Sequence, residues 1–197
     1  MCTKTLEPAG RANRLYVFFA VETDGPVPAL NSMVAFGLSA VDVFGTEHAF
    51  LYRSVLPLAG HVPDPQTVAE HWERFPATWS DTQAKAVEPR EFVREVEALL
   101  GQLQARWQLR FVAKPAAEAW QWLVNYYHLF RSRHAPDLGP APAICLNTLL
   151  EAQSSRSAAE VASSASQPLS PTHRVLDGAR HHARVFLRVC DALRVSF

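Results

Sequence analysis

The stretch from Tyr16 to Asp42, YVFFAVETDGPVPALNSMVAFGLSAVD, limits the fold more than any other part of the chain. An aromatic and β-branched run from Leu15 to Val21 reads as a strand buried on both faces, and a carboxylate, Glu22, stands at its end. Gly25-Pro26 and Pro28 then impose a turn, because proline fixes φ and glycine accepts backbone angles that other residues resist. Met33 to Val41 is a second strand of small and apolar residues, Gly45-Thr46 lies in a turn, and His48 to Val55 is a third strand. Three strands with connections this short predict an antiparallel meander. Ala20, Glu22 and Asp24 share parity, so an unbroken strand would point all three to one side, with Asp24 in the Gly25-Pro26 turn as the alternative.

Helical periodicity takes over after the meander. Asp64 to Arg74 is predicted helical, starting near Asp64 or Thr67 and breaking at Pro76, with Trp72, Phe75 and Trp79 gathered around the break. Glu88-Pro89 opens the clearest helix, in which Phe92, Val96, Leu99, Leu100, Leu103 and Trp107 recur at helical spacing. Leu109 to Ala113 is a short strand ended by Lys114-Pro115, and a second helix follows from Ala116 to Phe130. Glu151 to Pro171 is rich in Ala and Ser, and its composition assigns it no conformation. A last helix is predicted from Thr172 to Arg194, with Leu176, Ala179, Ala183, Phe186, Leu187, Cys190 and Leu193 as its buried stripe. Strands and helices in this order suit an α/β layer architecture.

Composition narrows the classes of partner. At 197 residues the chain is expected to form a single domain, 14–197, behind a flexible N-terminus, 1–13, with 151–171 as an insert or loop. A chain of this size buries roughly two-thirds of its unfolded surface, enough for an ordinary core. Lys and Arg number 19 against 19 Asp and Glu, so no global field attracts nucleic acid and any such binding must come from a local patch. The one basic face is on the last helix, where Arg180, Arg184 and Arg188 run beside Asp177 and His181. Over 172–197, five arginines less two aspartates leave +3. Three widely separated cysteines without a C-x-x-C pair read as reduced thiols of an intracellular protein. The apolar run before Glu22 is too short for a membrane span, so a soluble cytoplasmic protein with no membrane partner is expected.

Three motifs carry a resemblance. The first is Val21, Glu22, Thr23, Asp24, Gly25, Pro26 and Pro28, then Asn31, Ser32, Met33 and Gly37. The second is FVAKPAAEAWQWL, Phe111 to Leu123, and the third HRVLDGARHHA, His173 to Ala183. Together they resemble the DEDDh 3′-5′ exonucleases, a ribonuclease H-like family. Members near this sequence read D-V-E-T-D-G-P-x-P with N-S-M, then K-P with A-F-D-W, then H-R-A-L-D-D-A-R. The likeness covers about Tyr16 to Ala183, and within it Ile144 to Leu150 resembles the strand-to-helix passage before the last motif. HWERFP resembles the segment beside the substrate groove, with an aromatic mini-core as the plainer reading. The resemblance implies a ribonuclease H-like mixed sheet, the antiparallel meander plus parallel strands, flanked by helices.

It also implies a chemistry. In the family four carboxylates hold two divalent ions that clamp the scissile phosphate and activate water, and a histidine takes the proton. Hard oxygen ligands are needed to offset the ions' charge. Here Glu22 is the one ligand kept, and His173 matches the histidine. Ala20, Ala119 and Gly178 stand at the other three ligand positions. Glu118 and Asp177 each lie one residue before a lost ligand, and with Asp24 they are the candidate substitute ligands. On a helix one residue is a rotation of about 100°, which turns a carboxylate well away from the lost one's direction. Asp177 alternatively pairs with the cations of its own helix face, and His173 without metals becomes a structural hydrogen-bonding group. His181 and His182 face different sides of a helix and make a poor zinc pair.

The expected protein is therefore exonuclease-like but inactive or impaired, binding single-stranded nucleic acid 3′ ends, through Arg180, Arg184 and Arg188, or a protein partner. The alternative is an active 3′-5′ exonuclease using shifted ligands, with Mg or Mn as cofactor, Glu22 at the metal and His173 as base. A third reading is an interaction module whose groove is empty.

Overall fold

The computed structural model describes residues 13–138, 143–154 and 174–193. Five strands form one mixed sheet: β1 (Arg14–Thr23), β2 (Met33–Asp42), β3 (Glu47–Ser54), β4 (Gln108–Ala113) and β5 (Ile144–Cys145), in the order β3-β2-β1-β4-β5. β1, β2 and β3 pair antiparallel, as their short turns predict, whereas β1, β4 and β5 run parallel. Between the parallel strands lie crossovers that include α3 (Pro89–Gln104) and α4 (Ala116–Phe130). The remaining helices are α1 (Pro65–Glu70), α2 (Pro76–Ala84), α5 (Leu146–Ser154) and α6 (Arg174–Leu193).

Alternation along β1 divides the core in two. Leu15, Val17 and Phe19 pack with Phe92, Val96 and Leu100 of α3 and Trp122, Leu123 and Tyr126 of α4. Tyr16 and Phe18 face the other way, onto Leu146 of α5 and Ala179, Ala183 and Phe186 of α6. Phe186 lies 4.8 Å from the Tyr16 ring and 5.4 Å from Phe18, ring centre to ring centre. Burying aromatic rings of this size on both sides of one strand is the largest apolar gain the sheet makes. All ten residues of β2 are buried as well.

Three expectations change. The helix predicted from Asp64 to Arg74 is a six-residue α1, capped by the Asp64 carboxylate on the Thr67 amide, followed by a 3-10 turn at Trp72–Arg74. Pro76, read as a break, is instead the first residue of α2, where its missing N–H costs nothing. On α6, Val175, Val185 and Val189 join the buried stripe, while Leu187, Cys190 and Leu193 are half-buried at its margin. Residues 151–154 complete α5; the rest of the Ala/Ser-rich stretch, the N-terminal 1–12 and His173 lie outside the described residues.

Candidate functional site

The turn after β1 is held by the residues of the first motif. The Asp24 carboxylate accepts a hydrogen bond from the Ser32 amide, and the Asp24 amide donates to the Ser32 carbonyl at 2.9 Å. Ser32 Oγ accepts from the Leu58 amide at 2.9 Å, and the Tyr126 hydroxyl accepts from the Met33 amide at 2.9 Å. Asn31 bridges the loop, accepting from the Val27 amide at 3.0 Å and donating to the Val62 carbonyl at 2.8 Å. A Cβ at Gly25 would lie 2.2 Å from the Asn31 side chain, so only glycine fits there. The pairing register slips between Glu22 and Thr23, and Asp24 lies beyond the end of β1, in the turn. Asp24 is fully buried, and burial pushes its carboxyl above the usual carboxylate range despite the amide bonds.

The other two motifs arrive at the same end of the sheet. β1 and β4 are parallel, so their C-terminal ends lie together, with Ala20 and Glu22 on one and Lys114, cis-Pro115 and the first turn of α4 after the other. α6 comes down on β2 where Gly37 leaves room: a Cβ there would lie 2.5 Å from the Leu176 amide nitrogen and 2.5 Å from the Val175 carbonyl carbon. Gly37 is the β2 partner of Ala20. This close seating sets Gly178 over Ala20, with 3.8 Å between the Ala20 methyl and the place of a Cβ on Gly178. Two of the positions read as lost ligands are thus direct neighbours, one contributing a methyl and the other a hydrogen. The third, Ala119, is buried in the first turns of α4.

The remaining candidates do not gather into a replacement set. Glu118 is solvent-exposed in the first turn of α4, where the helix dipole favours a negative charge. Asp177 is half-buried in the first turn of α6 and acts electrostatically on Arg180. Glu22 meets a residue that the sequence alone did not connect to it: His71 Nε2 stands 3.1 Å from its carboxylate. The aromatic cluster around Pro76 supports that imidazole. The Trp72 indole N–H donates to the Thr23 carbonyl at 3.0 Å, the Trp72 and Trp79 rings are 4.6 Å apart, and His71 lies 4.8 Å from Trp72. HWERFP is therefore both a mini-core and a neighbour of Glu22. Its position beside a candidate groove was the sequence signal; the partner of His71 was not.

Among the described residues no group of three or more His, Cys, Asp or Glu side chains is placed to hold a metal ion. The donor set does not fit two divalent ions, which need several hard anionic oxygens converging on one space. Ala20, Gly178 and Ala119 offer none, and the Glu22 carboxylate is beside His71.

No family model matches the chain, and no curated protein matches it in sequence. Solved structures do match in three dimensions. The nuclease domain of 3′hExo, a DEDDh family member bound to rAMP, superposes with a TM-score of 0.63 at 12% identity, over 93% of this chain and 94% of that one. E. coli Exonuclease I in complex with a dT13 oligonucleotide gives 0.67 at 12% identity, over 92% of this chain but 42% of that one. S. pombe Pop2p in its Mg²⁺- and Mn²⁺-bound form gives 0.58 at 12% identity, over 89% and 82%. The chain spans under half the length of Exonuclease I. Its fold is the ribonuclease H-like fold of DEDDh exonuclease domains, as the motifs imply.

Proposed function

We propose that this chain is an exonuclease-fold protein whose cutting chemistry is silenced and which holds the 3′ end of a single-stranded nucleic acid without hydrolysing it. The observation that carries the reading is the contact of Ala20 with Gly178. Metal-assisted hydrolysis draws its rate from ions that activate water and stabilise the developing charge, and a methyl facing a glycine gives those ions nothing to bind. His71 beside Glu22 supplies a neighbour for the one carboxylate that remains. The rival reading, an active enzyme with shifted ligands, needs Glu118 and Asp177 to turn inward, and Glu118 points into solvent. No helix among the described residues is long and apolar enough to cross a membrane. Three widely separated cysteines without a C-x-x-C pair make a reducing cytoplasm the proposed setting.

The test is degradation of 5′-labelled single-stranded DNA and RNA, in Mg²⁺ and then Mn²⁺, beside the Glu22→Ala variant. No cleavage is expected from the natural chain. Installing Ala20→Asp, Ala119→Asp and Gly178→Asp together is expected to give cleavage that disappears when Glu22→Ala is added. Cleavage by the natural chain that is lost in Glu22→Ala would overturn the silenced reading and make Glu118 and Asp177 the next residues to remove.

A further inference from the structure

The three arginines that form the basic face in the sequence are not equivalent in the structure. Arg180 is committed within the fold: Nε and an Nη donate to the two Glu47 carboxylate oxygens at 2.9 and 2.8 Å. Its guanidinium also lies 4.9 Å from the centre of the Phe50 ring. Glu47 in turn accepts from Ser39 Oγ at 2.6 Å, and its carboxyl is held low, chiefly by Arg180. A bidentate pair stacked on a ring leaves that fork little to offer a phosphate.

Arg184 and Arg188 differ. Both are exposed, and among the described residues no carboxylate pairs with either, although Asp177 and Asp191 share their helix. His181, Arg184 and Arg188 stand at i, i+3 and i+7, one face of α6. Lys114, from the link between β4 and α4, joins them from a separate element. Burial first, and then the charges of Arg184, Lys114 and Arg188, hold the His181 imidazole below its usual value, so all three cations act on that ring. The next residue, His182, is more deeply buried, and Lys114 acts on it too. Lys114 is also where the second motif enters α4, at the end of the sheet that carries Ala20 and Glu22, so the stripe starts beside those positions and continues along α6. Arg184 and Arg188 are separated by about 6 Å of helix rise, comparable to the step between successive phosphates of an extended single strand.

We propose that Lys114, His181, Arg184 and Arg188 form the track for the phosphodiester backbone of the single strand whose 3′ end enters the groove, and that Arg180 is not part of it. The inference rests on the nucleic-acid-binding reading above and adds where the strand lies. A neutral chain with a stripe of cations that pair with no carboxylate among the described residues concentrates its attraction for a polyanion there, and contacts of this kind position a strand without reading its bases.

The test is fluorescence anisotropy of labelled oligothymidylate and oligouridylate across a salt series, using the full chain. Each lost phosphate contact should lower the slope of log affinity against log salt by about 0.7, so Arg184→Gln with Arg188→Gln should lower it by about 1.4. Affinity at low salt should fall about tenfold or more. Lys114→Gln, on another element, should lower the slope by about 0.7, while Arg180→Gln leaves it unchanged. Binding by the natural chain with an unaltered slope in the double variant and in Lys114→Gln would overturn this track and leave the binding reading standing. Absence of binding by the natural chain at low salt would overturn both. Heparin retention that needs Arg184 and Arg188, without oligonucleotide binding, would assign the stripe to another polyanion and likewise overturn the proposal.

Discussion

The turn after β1 and the three positions Ala20, Ala119 and Gly178 differ in what they keep of the motifs. In the turn, Asp24, Gly25, Asn31 and Ser32 match the family pattern, and each has a fold-holding role: an amide bond, a forbidden Cβ or a loop bridge. At the three positions the chain departs from the pattern, and it folds without the carboxylates. The difference separates two kinds of residue that a motif lumps together. At these positions the small residues are accommodated by the packing around them: Ala119 belongs to the core under α4, and Gly178 is buried where α6 seats on the sheet. Residues that close the backbone cannot be truncated so freely, since a buried amide left unpaired costs about 1–3 kcal/mol.

Four substitutions and conditions bear on that comparison. The largest effect is expected at Gly37, the seat of α6. Gly37→Ala puts a methyl 2.5 Å from backbone atoms of Val175 and Leu176, which no rotamer can relieve. It should destabilise by about 3 kcal/mol or more, read from urea midpoints; a loss under about 1 kcal/mol would show that α6 is loosely seated.

Acid should act on the α6 side with the opposite sign from the turn. His182 is buried with Nδ1 unpartnered, and burial, then Lys114 and His181, push its imidazole down to about 4 from 6.5. The unfolded chain binds this proton below pH 6.5 and the folded chain only below about 4. Stability is therefore complete above 6.5 and falls between there and 4, by at most about 3 kcal/mol. Asp24 runs the other way: its raised carboxyl takes a proton more readily in the folded chain, so acidification favours the fold as pH drops toward 3.8. Stability measured from pH 7 to 4 should decline in the natural chain and decline less in His182→Leu. An equal decline would place the acid-sensitive group elsewhere.

Asn31→Ala removes both bridges of the loop and should cost about 2 kcal/mol in the same denaturation assay. A neutral result would break the contrast between the turn and the three positions. The smallest change is a gain. Gly178→Ala puts its methyl 3.8 Å from Ala20, an ordinary contact, and replaces glycine inside a helix. It should stabilise by up to about 1 kcal/mol. Destabilisation instead would mean that the glycine is required by the fold, and that its presence says nothing about lost chemistry.

Much of this was legible before any coordinates. The meander and the strand-helix-strand-helix order follow from periodicity and turn chemistry, which act over a few residues, while the strand-to-helix passage at Ile144 came from the family resemblance. Pro76 was misread because a proline ends a helix or begins one according to the residues after it, and ATWSDTQA carries too weak an apolar stripe to announce a helix. Parity along β1 does not reach Asp24, because the strand ends at Thr23 and the Gly25-Pro26 turn takes over.

The sequence by itself determined the meander, the main helices and their order, and that Ala20, Ala119 and Gly178 stand where the resembled motifs carry carboxylates. Tertiary structure alone decided what their neighbours are: Gly178 near Ala20, His71 against Glu22, and Arg180 turned to Glu47. The physical reason is range. Periodicity and turn propensity are local, whereas Arg180 and Glu47 are 133 residues apart and meet because Gly37 lets α6 settle on the sheet at one depth.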